Sequence, residues 1–143
     1  MKRICVSNDV LLGEVAYLLK TGGSVTFRVK GNSMRPLLYG EKDKVILIPP
    51  VAVKQGDLVL ARLHAGNYVL HRIMQIQGDK LTLMGDGNLI GKEYCNMDNL
   101  VGKVEAVIKK DKTIYCSDWK WKTTSFLWVK LLPIRRYLLK IIR

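Results

Sequence analysis

The fold of this chain is decided by one stretch, DLVLARLHAGNYVLHRIMQ, at residues 57–75. Two apolar runs flank the polar sequence HAGN at 64–67. Short apolar runs joined by a glycine-containing loop are typical of a β-hairpin. We therefore predict strands over 57–63 and 68–75.

Similar short runs lie on both sides of this hairpin, separated by turn signals about every 8–12 residues. Such spacing predicts a mainly β domain whose antiparallel sheet folds over or closes. Ahead of it, apolar residues at helical spacing follow the capping residue Asp9 and predict a short helix over 9–20. The further predicted strands are 25–30, 44–48, 81–84, 100–109 and 113–116.

The composition is that of a single folded domain. The 143 residues are 48% hydrophobic, which argues against intrinsic disorder. Cys5, Cys95 and Cys116 are widely spaced and form no metal-binding pattern, so we expect reduced thiols, no metal and no cofactor. No signal peptide is predicted at the basic start, and no run reaches the roughly 18–20 apolar residues of a spanning helix. These features predict a cytoplasmic protein.

The positive charge is concentrated at the C-terminal end. The net charge is +12, and residues 119–143 hold seven Lys or Arg with no Asp or Glu. The first 118 residues hold 17 basic and 12 acidic side chains, so no nucleic acid is expected as a partner. We predict a β domain over 1–118 and a basic amphipathic tail over 119–143, helical from Ser125 and broken at Pro133.

The tail has two open interpretations. Its lysines and arginines, together with four aromatic residues, suit the surface of an anionic membrane, and the protein is then peripheral at the inner face. Alternatively, the apolar face of the tail packs on the β domain or on a second copy of the chain. The four aromatic residues are Trp119, Trp121, Trp128 and Tyr137.

Three polar residues supply the hydroxyl, the imidazole and the carboxylate of an activated serine nucleophile. Ser33 directly follows a predicted strand, and Asp86 follows the end of another. His71 interrupts an apolar strand and lies on its buried face if Arg72 points to water. Each residue also has a plain structural explanation, as a turn serine, a core histidine and an Asp-Gly turn.

Four short motifs occur in an order that resembles the type I signal peptidases and the self-cleaving SOS-type repressors that share their fold. They are Ser-Met-x-Pro at 33–36, Gly-Asp at 56–57, His-Arg at 71–72 and Gly-Asp-x-Asn at 85–88, with Val-Gly-Lys-Val following at 101–104. The resemblance covers residues 25–108. The His-Arg pair is similar to the endoplasmic-reticulum and archaeal branch, in which histidine stands in place of the bacterial lysine base.

The resemblance implies a fold and a set of roles. The fold would be a mainly β, folded antiparallel barrel with a short N-terminal helix and a C-terminal helical tail. Ser33 would be the nucleophile, its backbone N–H an oxyanion donor, and His71 the general base. Asp86 would support His71, with Glu93 and Asp98 as alternative carboxylates.

The residues after the nucleophile are candidate substrate contacts. The resemblance implies that an extended substrate pairs with strands near Ser33, so we assign Met34, Pro36 and Leu37 to substrate binding. The strand 25–30 is the candidate sheet edge. The alternative is that Met34 and Leu37 belong to the core.

The leading hypothesis is a serine endopeptidase with a Ser33/His71 pair that removes a leader from a precursor peptide or protein. A catalytically silent or regulatory peptide-binding member of the same fold is the alternative. A basic nucleic-acid-binding module is a third interpretation, disfavoured because about 30 residues ahead of the barrel leave no room for a helix-turn-helix of normal size.

Overall fold

The computed structural model describes residues 2–4, 9–29, 34–35, 37–40, 42–63, 67–87, 91–110, 112–131, 134 and 137. Within them the chain is mainly β, with nine strands in one sheet and two α-helices. The helices are α1 (Asp9–Lys20) and α2 (Trp119–Lys130), and a 3₁₀ turn covers Met97–Asn99. The strands are β1 (Lys2–Ile4), β2 (Val25–Arg28), β3 (Lys44–Ile48), β4 (Leu58–Arg62), β5 (Tyr68–Gln77), β6 (Lys80–Met84), β7 (Glu93–Asn96), β8 (Leu100–Lys109) and β9 (Lys112–Tyr115).

The strands are ordered β1-β2-β3-β8-β4-β5-β6-β7, and β9 pairs with β8 off this path. Among the described strands, β1 and β2 run parallel and the other pairs are antiparallel. The sheet curls into a half-barrel. The long strand β8 holds the curl together, because it pairs with β3 along one side and with β4 and β9 along the other. The mainly β fold predicted from the sequence is confirmed.

The predicted hairpin is formed by β4 and β5, and helix α1 covers the predicted residues 9–20. Two strands, β1 and β7, are absent from the prediction, because they have only three and four residues and give little alternation to detect. The position of β1 overturns one expectation. It pairs with β2 on the side away from β3, so the strand predicted as a free edge for substrate is an interior strand.

The sheet is buried on both faces around its centre. In β4, Leu58 and Leu60 belong to a first core cluster, whereas Val59 and Ala61 belong to a second. Successive side chains of a strand point to opposite faces, so the two clusters lie on opposite sides of β4. Helix α1 packs over the first cluster through Val15 and its neighbours. The two residues of the His-Arg pair therefore enter different environments.

Helix α2 also packs over the first cluster. Trp121 and Trp128 are 8% and 6% exposed and belong to it. The helix begins at Trp119, earlier than predicted, because the Asp118 carboxylate accepts the Lys120 backbone N–H at 2.8 Å and caps the first turn. The expectation that Trp121 and Trp128 face a membrane is wrong, since burying large aromatic side chains in a core is strongly favourable.

The face of α2 that does not pack on the core is exposed. Trp119 is 69% exposed, and Tyr137 beyond the helix is 63% exposed. No helix among the described residues is both long enough and apolar enough to cross a membrane. Pro133 and residues 138–143 of the predicted tail lie outside the described residues.

Candidate active site

His71 lies within β5 and is 6% exposed. Its register partner on β4 is Val59, a member of the second core cluster, so the imidazole lies on that face of the sheet. The Nδ1 atom of His71 contacts Oε1 of Glu93. A carboxylate on one ring nitrogen orients an imidazole and fixes its tautomer, an arrangement found in general bases that activate a serine.

Glu93 reaches His71 across the intervening strand β6. Ile73 of β5 is paired with Leu83, and Leu83 is paired with Glu93. Cys95, two residues further along β7, is buried in the second core cluster, so Glu93 lies on the same face as His71. Glu93 was one of three carboxylates left open by the sequence. The alternation of Glu93 and Cys95 was the available signal, although it extends over only one short strand.

Asp86 has a different partner. Its Oδ1 accepts Nε–H of Arg72 at 2.8 Å and its Oδ2 accepts Nη2–H at 2.6 Å. Both side chains are 1% exposed. Two parallel charge-assisted hydrogen bonds form the strongest common geometry for such a pair. The assignment of Asp86 as the carboxylate that supports His71 is therefore corrected, because its two oxygens bind Arg72 and Glu93 contacts the imidazole.

Arg72 does not point to water, so the condition under which the sequence predicted a buried face for His71 is not met, although His71 is buried. Arg72 is opposite Leu58 on β4, in the first core cluster, and its Nη1 donates to the backbone carbonyl of Gly56 at 2.9 Å. Gly56 has a φ of +97°, which favours glycine. A backbone carbonyl and the Asp86 carboxylate together compensate the buried guanidinium, which is what allows an arginine in a core.

The segment carrying Ser33 is placed only in part. Ser33 and Pro36 lie outside the described residues. Met34 and Leu37 are 2% and 8% exposed and belong to the first core cluster, in agreement with the core alternative for these two residues. Asp98, the third candidate carboxylate, is exposed in the 3₁₀ turn.

The residue after Ser33 is nevertheless linked to the residue after His71. Met34 Sδ accepts the backbone N–H of Asp86 at 3.4 Å, and the Asp86 carboxylate binds Arg72. The Asp86 backbone carbonyl also accepts the indole N–H of Trp128 at 2.8 Å. Asp86 therefore ties together the Ser33 segment, strand β5 and helix α2.

Among the described residues, no group of three or more His, Cys, Asp or Glu side chains is placed to bind a metal ion. Cys95 and Cys116 are free thiols. Burial raises the pKa of Cys95, and it raises the pKa of Cys116 to about 11, so neither resembles a reactive, activated thiol.

A comparison with protein-family models matches residues 8–105 to the family described as Peptidase S24-like. The match covers more than two thirds of the 143 residues. The chain belongs to the Peptidase S24-like family. The S24-like region contains Ser33, His71, Asp86 and Glu93, and it ends before helix α2. No curated protein matches the chain.

Proposed function

We propose that this chain is a serine endopeptidase of the signal-peptidase-like type, in which Ser33 is the nucleophile and His71 the general base. The observation that carries the proposal is the contact between buried His71 and the Glu93 carboxylate within an S24-like fold. Glu93 takes the positioning role first assigned to Asp86. A histidine held by a carboxylate is suited to accept a proton from a serine hydroxyl.

The proposed reaction follows from these roles. In this proposal Nδ1–H of His71 donates to Glu93, and Nε2 takes the proton from Ser33 Oγ. The oxygen attacks the carbonyl carbon of the substrate, and the Ser33 backbone N–H stabilises the negative charge that develops on the carbonyl oxygen. His71 returns the proton to the leaving amine. Water then hydrolyses the acyl-enzyme with His71 again as base.

The connection through Asp86 supports this arrangement. Because Met34, Asp86 and Arg72 are bonded in series, they hold together the chain segments that carry Ser33 and His71. Catalytic groups must be held by a rigid surrounding structure to react efficiently. In this proposal Asp86 stabilises the structure around the site, and Glu93 orients the imidazole.

The substrate class proposed for this site is a precursor peptide or protein from which a leader is removed. The alternative is a catalytically silent member of the family that binds peptides. The two differ in a single measurable property, the appearance of new peptide termini that depend on Ser33.

The test is incubation of the purified full chain with a complex mixture of peptides of defined sequence, followed by mass spectrometry of new termini. The wild type should generate termini that Ser33→Ala and His71→Ala do not. The matched controls are Ser24→Ala, an exposed serine after α1, and His64→Ala, the other histidine of the chain. Both should cleave as the wild type does. Identical termini from the wild type and Ser33→Ala would establish the silent alternative.

We also propose that the outer face of α2 contacts an anionic membrane. Trp119 and Leu127 are 69% and 54% exposed, and Lys120 on the same helix is exposed and does not line the cavity under α2. Aromatic and apolar groups enter the interface of a bilayer, while each nearby lysine contributes about 1 kcal/mol of attraction to an anionic surface. The proposed membrane contact is on the side of α2 that does not pack on the sheet.

Removing α2 would be a poor test, because Trp121 and Trp128 belong to the core. The sharper variant is Trp119→Ser combined with Leu127→Ser. In co-sedimentation with phosphatidylglycerol vesicles at low salt, the wild type should bind and this variant should lose most binding. Tyr17→Ser removes an equally exposed aromatic residue from α1, 69% exposed, and should bind as the wild type does. Equal binding by all three proteins would refute a role for this face.

A further inference from the structure

A cavity of about 690 Å³ lies between α2 and the sheet. Its walls come from β3, β4, β5, β8 and α2, and among the described residues neither His71 nor Glu93 lines it. It lies on the side of the sheet where Arg72 is buried, opposite the face of His71. Its volume is within the roughly 300–1,000 Å³ typical of sites for small molecules.

The walls of the cavity are largely apolar. Leu58 and Val104 line it from the sheet, and Trp121, Phe126 and Val129 line it from α2. Apolar walls favour an apolar ligand, because burying its surface releases ordered water. The larger part of a ligand for this cavity is therefore a hydrocarbon.

The charged groups around the cavity are mostly cationic. Two of them have acidic partners, since Arg72 binds Asp86 and Lys103 lies 3.7 Å from Asp57. An excess of positive charge around an apolar cavity favours a ligand with an acidic end. The lining cations are Lys54, Arg72, Lys103, Lys122 and Lys130, and the lining acids are Asp57 and Glu105.

Ser125 provides a polar group inside this apolar site. It is 8% exposed, it lines the cavity, and its Oγ has no hydrogen-bond partner among the described residues. A serine or threonine within a helix commonly bonds the carbonyl four residues earlier, as Thr124 Oγ1 does with Lys120 O at 2.8 Å. Buried hydroxyls are nearly always bonded. Ser125 therefore offers a donor to a ligand, one helical turn from Lys122.

We propose that this cavity binds a free fatty acid, with its acyl chain along Trp121 and Val129 and its carboxylate between Lys122 and the Ser125 hydroxyl. The apolar walls, the excess of lining cations and the buried hydroxyl each match one part of such a molecule. A bilayer lipid carries the same combination of acyl chain and anionic head, so the experiment must separate these two sources.

Cys116 gives a direct readout, because it lines the cavity and is a free thiol. Iodoacetamide alkylates the thiolate form of cysteine, so the reaction is run at about pH 9. The alkylated Cys116 peptide is then quantified by mass spectrometry. Dodecanoate at ten times its dissociation constant should slow alkylation roughly tenfold, if bound ligand excludes the reagent. Cys95, which lies in the second core cluster on the other face, should react at an unchanged rate.

Ligands of equal chain length test the charge argument on the wild-type protein. Below the concentrations at which they form micelles, dodecanoate should protect Cys116 more strongly than dodecanol, and dodecyltrimethylammonium should protect it least. Equal protection by the cation would overturn the acidic end of the ligand. No protection by any of the three would mean that the cavity holds water only.

Two variants with matched controls test the polar contacts. Ser125→Ala should weaken dodecanoate protection roughly tenfold, and Lys122→Gln about two- to fivefold. Thr124→Ala and Lys20→Gln change an exposed hydroxyl and an exposed lysine outside the cavity and should leave protection unchanged. Equal weakening by Lys20→Gln would show attraction to net charge alone. Protection of Cys116 by phosphatidylglycerol vesicles without fatty acid would assign the acyl chain to a bilayer lipid and overturn the free fatty acid.

Discussion

Replacing Asp86 with Asn should destabilise this protein more than any other single charge change among its described ion pairs. The substitution keeps the size of the side chain but leaves the Arg72 guanidinium, 1% exposed, without its carboxylate. Removing one partner of a buried pair costs about 3–5 kcal/mol, because the remaining charge is buried without compensation. The carbonyl of Gly56 still accepts one Arg72 N–H, so we expect the lower half of that range.

The assay is urea unfolding followed by circular dichroism, with thermal unfolding as a second measurement. A loss of about 3 kcal/mol is a large part of the roughly 5–15 kcal/mol typical of a whole domain. For a chain of this size it corresponds to a decrease in Tm of roughly 6–12 °C.

The matched control is Lys103→Gln, which breaks the pair with Asp57. That pair is separated by 3.7 Å, and its side chains are 23% and 16% exposed, so we expect a loss of less than about 1 kcal/mol. Similar losses for Asp86→Asn and Lys103→Gln would refute the argument that burial of the Arg72–Asp86 pair makes it important for stability.

Three further outcomes are expected. Glu93→Gln should lower kcat/KM by roughly 10²-fold with little change in Tm, because it removes the carboxylate at His71; a large loss of stability with unchanged activity would contradict the positioning role. Gly102→Ala should cost about 1–3 kcal/mol in urea unfolding, since a Cβ there would lie 2.7 Å from Leu19 Cδ1 and 3.3 Å from a backbone carbonyl; a less-than-additive cost when combined with Leu19→Ala would confirm the clash. Burial raises the pKa of Cys116 from 9.0 to about 11, so its alkylation rate should keep rising up to about pH 11. The folded state should lose stability between about pH 9 and pH 11, because the unfolded thiol loses its proton first. An alkylation rate that levels off near pH 9 would show an exposed thiol.

The sequence by itself was sufficient for the mainly β class, the β4–β5 hairpin and helix α1. These depend on local properties, the alternation of apolar side chains, turn residues and a capping residue, which act over a few neighbours along the chain. The sequence predicted a buried face for His71 only on the condition that Arg72 points to water, whereas both residues are buried. The short strands β1 and β7 carry too few residues for such a pattern, and because β1 is not predicted, the sequence alone predicts β2 as an edge strand, although β1 covers it.

Only the tertiary structure decided which carboxylate meets which cation. Glu93 is 22 residues from His71 in the chain and reaches it through the register of two strand pairs. Asp86 is 14 residues from Arg72 and binds it on the opposite side of the sheet. A sequence offers several acids for one histidine, and strand order and register select among them. The same holds for α2, whose inner face became visible only once the sheet supplied the core against which Trp121 and Trp128 pack.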